Sequence, residues 1–186
     1  MFGRKKVVIA DDDMFSVRKL VEMRIPSLFI GLLLGFMLSF ATARFEAVLV
    51  KNIQIVYFLP FIVYMADAVG TQTQTIYARD LSRGKAKFTT YLVKEILLGI
   101  TIGIIFGMIS WLVVTWWFNS APLALAVALG MFGAISTAPL VGLIVTEALQ
   151  IEHQDPAIGA GPIATVIQDL ISVLLYGLIC SAVILG

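Results

Sequence analysis

Two carboxylates carry the chemistry of this sequence. Asp169 lies in "GAGPIATVIQDLISVLLYG", residues 159–177, and Asp67 in "PFIVYMADAVGTQTQT", residues 60–75. Both stretches are otherwise apolar, and no Lys or Arg lies deep in either. A carboxylate in such surroundings needs a proton, a hydrogen-bonding neighbour helix or a cation. The residues before Asp169 favour a cation. Pro162 has no N–H, which leaves the carbonyl oxygen of Ile158 without its helical donor. Gly159 and Gly161 weaken the same turns, so the start of this helix is expected to be broken. Thr165 is one turn before Asp169 and on the same face. Carboxylate, carbonyl and hydroxyl oxygens, with no imidazole or thiolate among them, are hard ligands suited to Mg²⁺, Ca²⁺ or Mn²⁺. Mg²⁺ keeps several waters around one or two carboxylates. One Asp169 per subunit, doubled by a two-fold axis, supplies two.

Supporting polar groups are few. Gln168 adjoins Asp169, and Thr71 and Gln72 follow Asp67 in a run of five polar residues, 71–75. These residues line a hydrated path or bond neighbouring helices. Glu147, Glu152 and Asp155, with Glu95, form an acidic inner mouth that concentrates cations, or else they are ordinary solvated loop charges.

The elements that position these groups follow from composition. The chain has 186 residues, 60% of them hydrophobic and 13% charged. Its mean hydropathy is +0.98. Soluble domains carry about 25% charged residues, so the chain reads as an all-α integral membrane protein. Five segments are long enough to cross a bilayer, at about 20 apolar residues each. They run roughly 25–50, 53–78, 91–118, 121–149 and 157–185. Short connectors make neighbouring helices antiparallel. Residues 1–24 are a polar lead-in in the cytosol or on the membrane surface, not a signal peptide, because acids follow a very short apolar stretch. Residues 25–186 form the membrane domain. Gly99, Gly103 and Gly107 share one face of the third span and invite close helix contact. Trp111, Trp116 and Trp117 mark its outer interface.

Basic residues set the orientation. They cluster in the lead-in (Arg4, Lys5, Lys6, Arg18, Lys19, Arg24) and in the second connector (Arg79, Arg83, Lys85, Lys87, Lys94), while the opposite side carries Arg44 and Lys51. The N-terminus is therefore cytoplasmic and the C-terminus extracytoplasmic. A net charge of +1 gives no field for nucleic acid. One cysteine, Cys180, excludes an intrachain disulfide, and one histidine, His153 in a polar connector, gives no zinc site. At 1.5 Å per residue, Asp67 and Asp169 each lie roughly 15–20 Å from one membrane face. Placing a charge there costs about 2.5–3.5 kcal/mol on insertion scales, so such groups mark ion or proton paths.

The chain resembles the membrane domain of MgtE-type magnesium channels, which are related to eukaryotic magnesium solute carriers. The matching stretches are "RIPSLFIGLLLGF" with "FEAVL", "LPFIVYMADAVGTQTQTIYARDL", "KEILLGITIGIIFG" and "DPAIGAGPIATVIQDLISVLLYGL", over about residues 24–186. The resemblance implies five helices per subunit and a homodimer with its pore on the two-fold axis. It implies Mg²⁺ moving inward largely hydrated, held by Asp169 and by a backbone carbonyl one turn earlier, at Thr165. The small-residue–Pro pair of the family maps to Gly161 and Pro162. The family's Gly-Gly-Asn-Ala-Gly-Thr-Gln block reads Ala66-Asp67-Ala68-Val69-Gly70-Thr71-Gln72 here. Asp67 thus stands where a Gly is usual, a second carboxylate that adds a metal or proton site. The family's cytosolic Mg²⁺-sensing domains are expected to be absent from this chain, cut away or encoded separately. That leaves a cytosolic regulatory protein, beside membrane lipid, as a partner.

Two other mechanisms fit the acids. One is exchange of a divalent cation against H⁺ or Na⁺, with Asp67 and Asp169 coupled. The other is an intramembrane aspartyl protease, in which paired acids share a proton. Such proteases carry Gly-x-Gly-Asp, whereas Val166, Ile167 and Gln168 precede Asp169. The resemblance makes the chain a transporter and not an enzyme.

Overall fold

The computed structural model describes residues 13–151 and 156–185, with side chains for 13–150 and 161–185. Every regular element among the described residues is helical. In hydrocarbon a backbone must satisfy its own hydrogen bonds, and the helix does so within one segment. The elements are α1 (Val17–Ala43), α2 (Glu46–Lys51), α3 (Gln54–Ser82), α4 (Phe88–Phe118), α5 (Ala121–Ile151) and α6 (Pro156–Cys180), closed by a π-helical turn over Ser181–Leu185. Five helices are long and apolar enough to cross a membrane, as the sequence predicts.

Local chemistry sets the ends. Ser16 caps α1 by accepting from the Lys19 N–H at 3.4 Å. Gly84, at φ +66, turns the chain between α3 and α4. Asn119 ends α4 at φ 49, a left-handed conformation that asparagine tolerates better than branched residues do.

Two expectations are corrected. The first span does not run to residue 50. It starts at Val17, so residues 17–24 of the polar lead-in form its first turns, with Arg18 paired to Glu22 at 3.2 Å. It stops at Ala43, where Arg44 and Phe45 turn the chain into the short α2. The start of the last span is also not broken. Pro162 lies inside a continuous α6. Its ring still removes one N–H from the ladder, but neighbouring turns keep their hydrogen bonds.

α5 is the central element and packs on α3, α4 and α6. Of its most apolar window 56% is buried, against 6% for α1, which rests chiefly on α6. The glycines of α4 face α5 as predicted. A Cβ on Gly99 would come within 2.8 Å of the Ser136 carbonyl oxygen, and one on Gly103 within 2.9 Å of that of Phe132. The same device joins α3 to α5, where a Cβ on Gly142 would meet the Gly70 carbonyl oxygen at 2.5 Å. The core between them is filled by Ile62 and Ala66 of α3 and by Val127, Met131 and Ile135 of α5. Tyr176 of α6 donates to the carbonyl of Ile55 at 3.0 Å, tying α6 to the start of α3. Trp116 and Trp117 are exposed at the end of α4, where a membrane interface suits them.

Candidate functional site

α6 carries Thr165, Gln168 and Asp169 within one turn and a third. Thr165 and Asp169 are half-buried, while Gln168 is buried. The Gln168 side chain donates to the Ala134 carbonyl at 3.2 Å and to Ser172 Oγ at 3.1 Å, which anchors α6 to α5. Asp169 Oδ1 is fully enclosed and meets no hydrogen-bond donor among the described residues. Enclosed acceptors in folded proteins nearly always have a donor, so such an atom calls for an explanation. Gly161 and Pro162 lie two turns below Asp169. A Cβ on Gly161 would come within 4.0 Å of Gln74 Nε2, and the Pro162 carbonyl lies 3.9 Å from where a Cβ on Gly31 of α1 would stand. Both are ordinary contact distances, so a methyl would fit at Gly161 and the glycine is not what sets the approach of α3 and α6.

Asp67 is half-buried on α3. It lines a small cleft with Thr71, Gln74, Ala138, Gly142 and Gln168, of about 10 Å³. That is room for roughly a single water. The structure thus brings Asp67, Thr71 and Gln168 together from two helices. Gln72 is exposed on α3 and does not line the cleft. Thr71 and Thr75 are exposed too. Thr146 is different: it bonds the Gly142 carbonyl at 2.7 Å, within its own helix, which leaves it structural.

Glu95 is corrected. It does not stand at an open mouth: it is 8% exposed and accepts from Thr73 Oγ1 at 2.8 Å. Glu147 is held similarly, accepting from Tyr77 Oη at 2.6 Å. Both acids therefore bind helices to one another, α3 to α4 and α3 to α5. Glu152, His153 and Asp155 lie outside the described residues. Sequence reasoning missed Thr73 and Tyr77 as the partners. Their spacing of four puts them on one face of α3, and that was the available signal. Tyr77→Phe is expected to leave Glu147 without its donor and to cost about 1–3 kcal/mol. A lower apparent melting temperature in detergent would show it; an unchanged one would make the hydrogen bond irrelevant to stability.

Among the described residues no three His, Cys, Asp or Glu side chains gather as a metal cage. Cys180 is buried and unpaired. What the geometry offers is sparse: single carboxylates, hydroxyls and amides on α3 and α6. On α6 the carboxylate of Asp169 and the hydroxyl of Thr165 do not make a cage, and so few ligands suit an ion that keeps most of its waters.

Comparison with known proteins places these residues. The family described as MgtE, divalent cation transporter, matches residues 59–179, a range that contains Asp67, Thr165 and Asp169. A protein named magnesium transporter MgtE from Enterococcus faecalis is 29% identical over 161 residues, covering 85% of this chain and 36% of that protein. Its namesake in Bacillus subtilis is 30% identical over 160 residues, covering 84% and 35%. The chain spans about a third of the length of these curated relatives.

Proposed function

The chain belongs to the MgtE family of divalent cation transporters, and from that membership we propose that it carries Mg²⁺ across the cell membrane through a pore whose central ligand is Asp169. The observation that carries this reading is the enclosed, donorless oxygen of Asp169 on a helix built to span a bilayer. With one oxygen enclosed and donorless, the half-buried carboxylate has an unmet demand for positive charge, and its accessible side would accept from the coordinated waters of the transported ion. Thr165 offers a carbonyl and a hydroxyl one turn nearer the cytoplasm. Mg²⁺ releases its waters reluctantly, so a site that binds the hydrated ion lets it leave again.

The reading extends to a homodimer, and exposed polar side chains on α3 support it. Thr71, Gln72 and Thr75 are exposed on the protomer although α3 crosses the apolar layer. Hydroxyls and amides facing lipid are costly, whereas facing a partner's copy across a wet pore they are solvated. The pore then runs along the two-fold axis, with the N-terminus cytoplasmic and the C-terminus outside. A separate cytosolic protein is the candidate regulator, and lipid covers the apolar faces of α1 and α4. The protease reading has no support from this family. Purified protein in liposomes loaded with a Mg²⁺-sensitive dye tests the proposal. Uptake driven by voltage and the Mg²⁺ gradient alone is expected. Uptake that requires an imposed H⁺ or Na⁺ gradient would replace the pore with an exchanger.

A further inference from the structure

The cleft between α3, α5 and α6 sets a few polar groups, among them two acceptors from different helices, in mostly apolar walls. Gln168 is 2% exposed. Both hydrogens of its amide are committed, to the Ala134 carbonyl and to Ser172 Oγ. Turning the amide around would set Oε1 against the Ala134 carbonyl, acceptor against acceptor, so its orientation is fixed. Oε1 is left enclosed with no donor among the described residues. Asp67 brings a carboxylate to the same cleft from α3, and Thr71 a hydroxyl. No Lys or Arg lines it.

Size and rigidity narrow the occupant. About 10 Å³ admits one water-sized body, not an ion with its full water shell. The walls cannot spread easily, because α3 and α5 touch backbone to backbone at Gly70 and Gly142. A narrow cleft that sets the Asp67 carboxylate and the donorless Gln168 Oε1 among apolar walls is the complement of a small hard cation. A water could satisfy Gln168 Oε1, whereas a cation can accept electron density from Gln168 Oε1 and the Asp67 carboxylate together.

We propose that Asp67 and Gln168 form a second cation site within each protomer, which holds a small hard cation stripped of most of its water. It is separate from the hydrated ion at Asp169 and does not depend on the direction of transport. Its cation offsets the repulsion between the two carboxylates and so adjusts how tightly Asp169 holds the passing ion.

Binding to the purified chain in detergent tests this, with Mn²⁺ counted by electron paramagnetic resonance and Na⁺ followed by ²³Na relaxation. Asp67→Asn is expected to lose one class of bound cation, while Asp169→Asn loses the other. Loss of the Asp67 class from the Mn²⁺ signal identifies a divalent occupant; loss from the Na⁺ signal identifies a monovalent one. Gln168→Met, which keeps the volume but removes Oε1 along with the Nε2 bonds to Ala134 and Ser172, is expected to weaken the Asp67 class by at least about tenfold while the Asp169 class stays, a selectivity that a merely loosened α6 would not give. It also serves as the second variant should Asp67→Asn fold poorly. Mn²⁺ and Na⁺ binding that are both insensitive to Asp67 and Gln168 would overturn the site and leave the cleft to a water. Binding and uptake insensitive to Asp169 would instead overturn the transport proposal.

Discussion

Replacing Asp169 by alanine is expected to lower Mg²⁺ uptake by at least about 100-fold while the protein still inserts and runs as a single species. A doubly charged ion about 5 Å from a carboxylate gains roughly 6–7 kcal/mol at an effective dielectric near 20. Loss of water contacts offsets much of that. A net loss of only about 3 kcal/mol at the top of the barrier still slows passage by more than about 100-fold. Asp169→Asn separates charge from shape, because it keeps the volume and the oxygen but not the charge. Its uptake should fall nearly as far. Wild-type uptake by both variants in the liposome assay would remove Asp169 from the path.

Gly142→Ala is expected to be the most damaging single-methyl change in the bundle. Its Cβ would stand 2.5 Å from the Gly70 carbonyl oxygen, 3.3 Å from the Gly70 carbonyl carbon and 3.4 Å from the Gln74 nitrogen. All three are backbone atoms, so no side chain can swing aside. Overpacking of this kind costs about 1–3 kcal/mol, and more where nothing yields. Pushing α3 away from α5 also opens the cleft that Asp67 shares with Gln168, so uptake should fall together with thermal stability. Gly133→Ala on the same helix is the matched control. There the nearest atom is a Leu175 methyl at 3.6 Å, ordinary contact distance. If the two variants melt together, the backbone contact at Gly70 is not what holds α3 and α5 in place.

The spans were legible because a membrane segment announces itself by length and apolarity, which are properties of a single stretch. The last four agree with the helices to within four residues at either end, when the π-helical turn to Leu185 is counted with α6. The first was misplaced at both ends. Arg18, Lys19, Glu22 and Arg24 looked like surface chain, but charged side chains are compatible with a helix that starts before the apolar layer. Arg44 and Phe45 turn the chain within a run that still reads as apolar. The site was legible only in part. Asp67 and Asp169 stand out because charge is rare in such helices. That Glu95 belongs to Thr73 and Glu147 to Tyr77 depends on which faces meet, and contacts between distant helices leave no local mark. Pro162 shows the opposite error: a residue that breaks an isolated helix is absorbed when the packing around it is continuous.

The glycine contacts divide the protomer mechanically. α3, α4 and α5 meet backbone to backbone at Gly70, Gly99, Gly103 and Gly142, which makes them a stator. α6 meets that block through side chains, such as Tyr176 against Gly130 and Gln168 against Ala134, and α1 rests on α6. Side-chain contacts can re-form after a small slide, whereas interlocked backbones cannot. Asp67 rides on that block and Asp169 on the helix seated against it. The gap between the two carboxylates is therefore set by how α6 seats on the stator, which makes it a gauge of that seating.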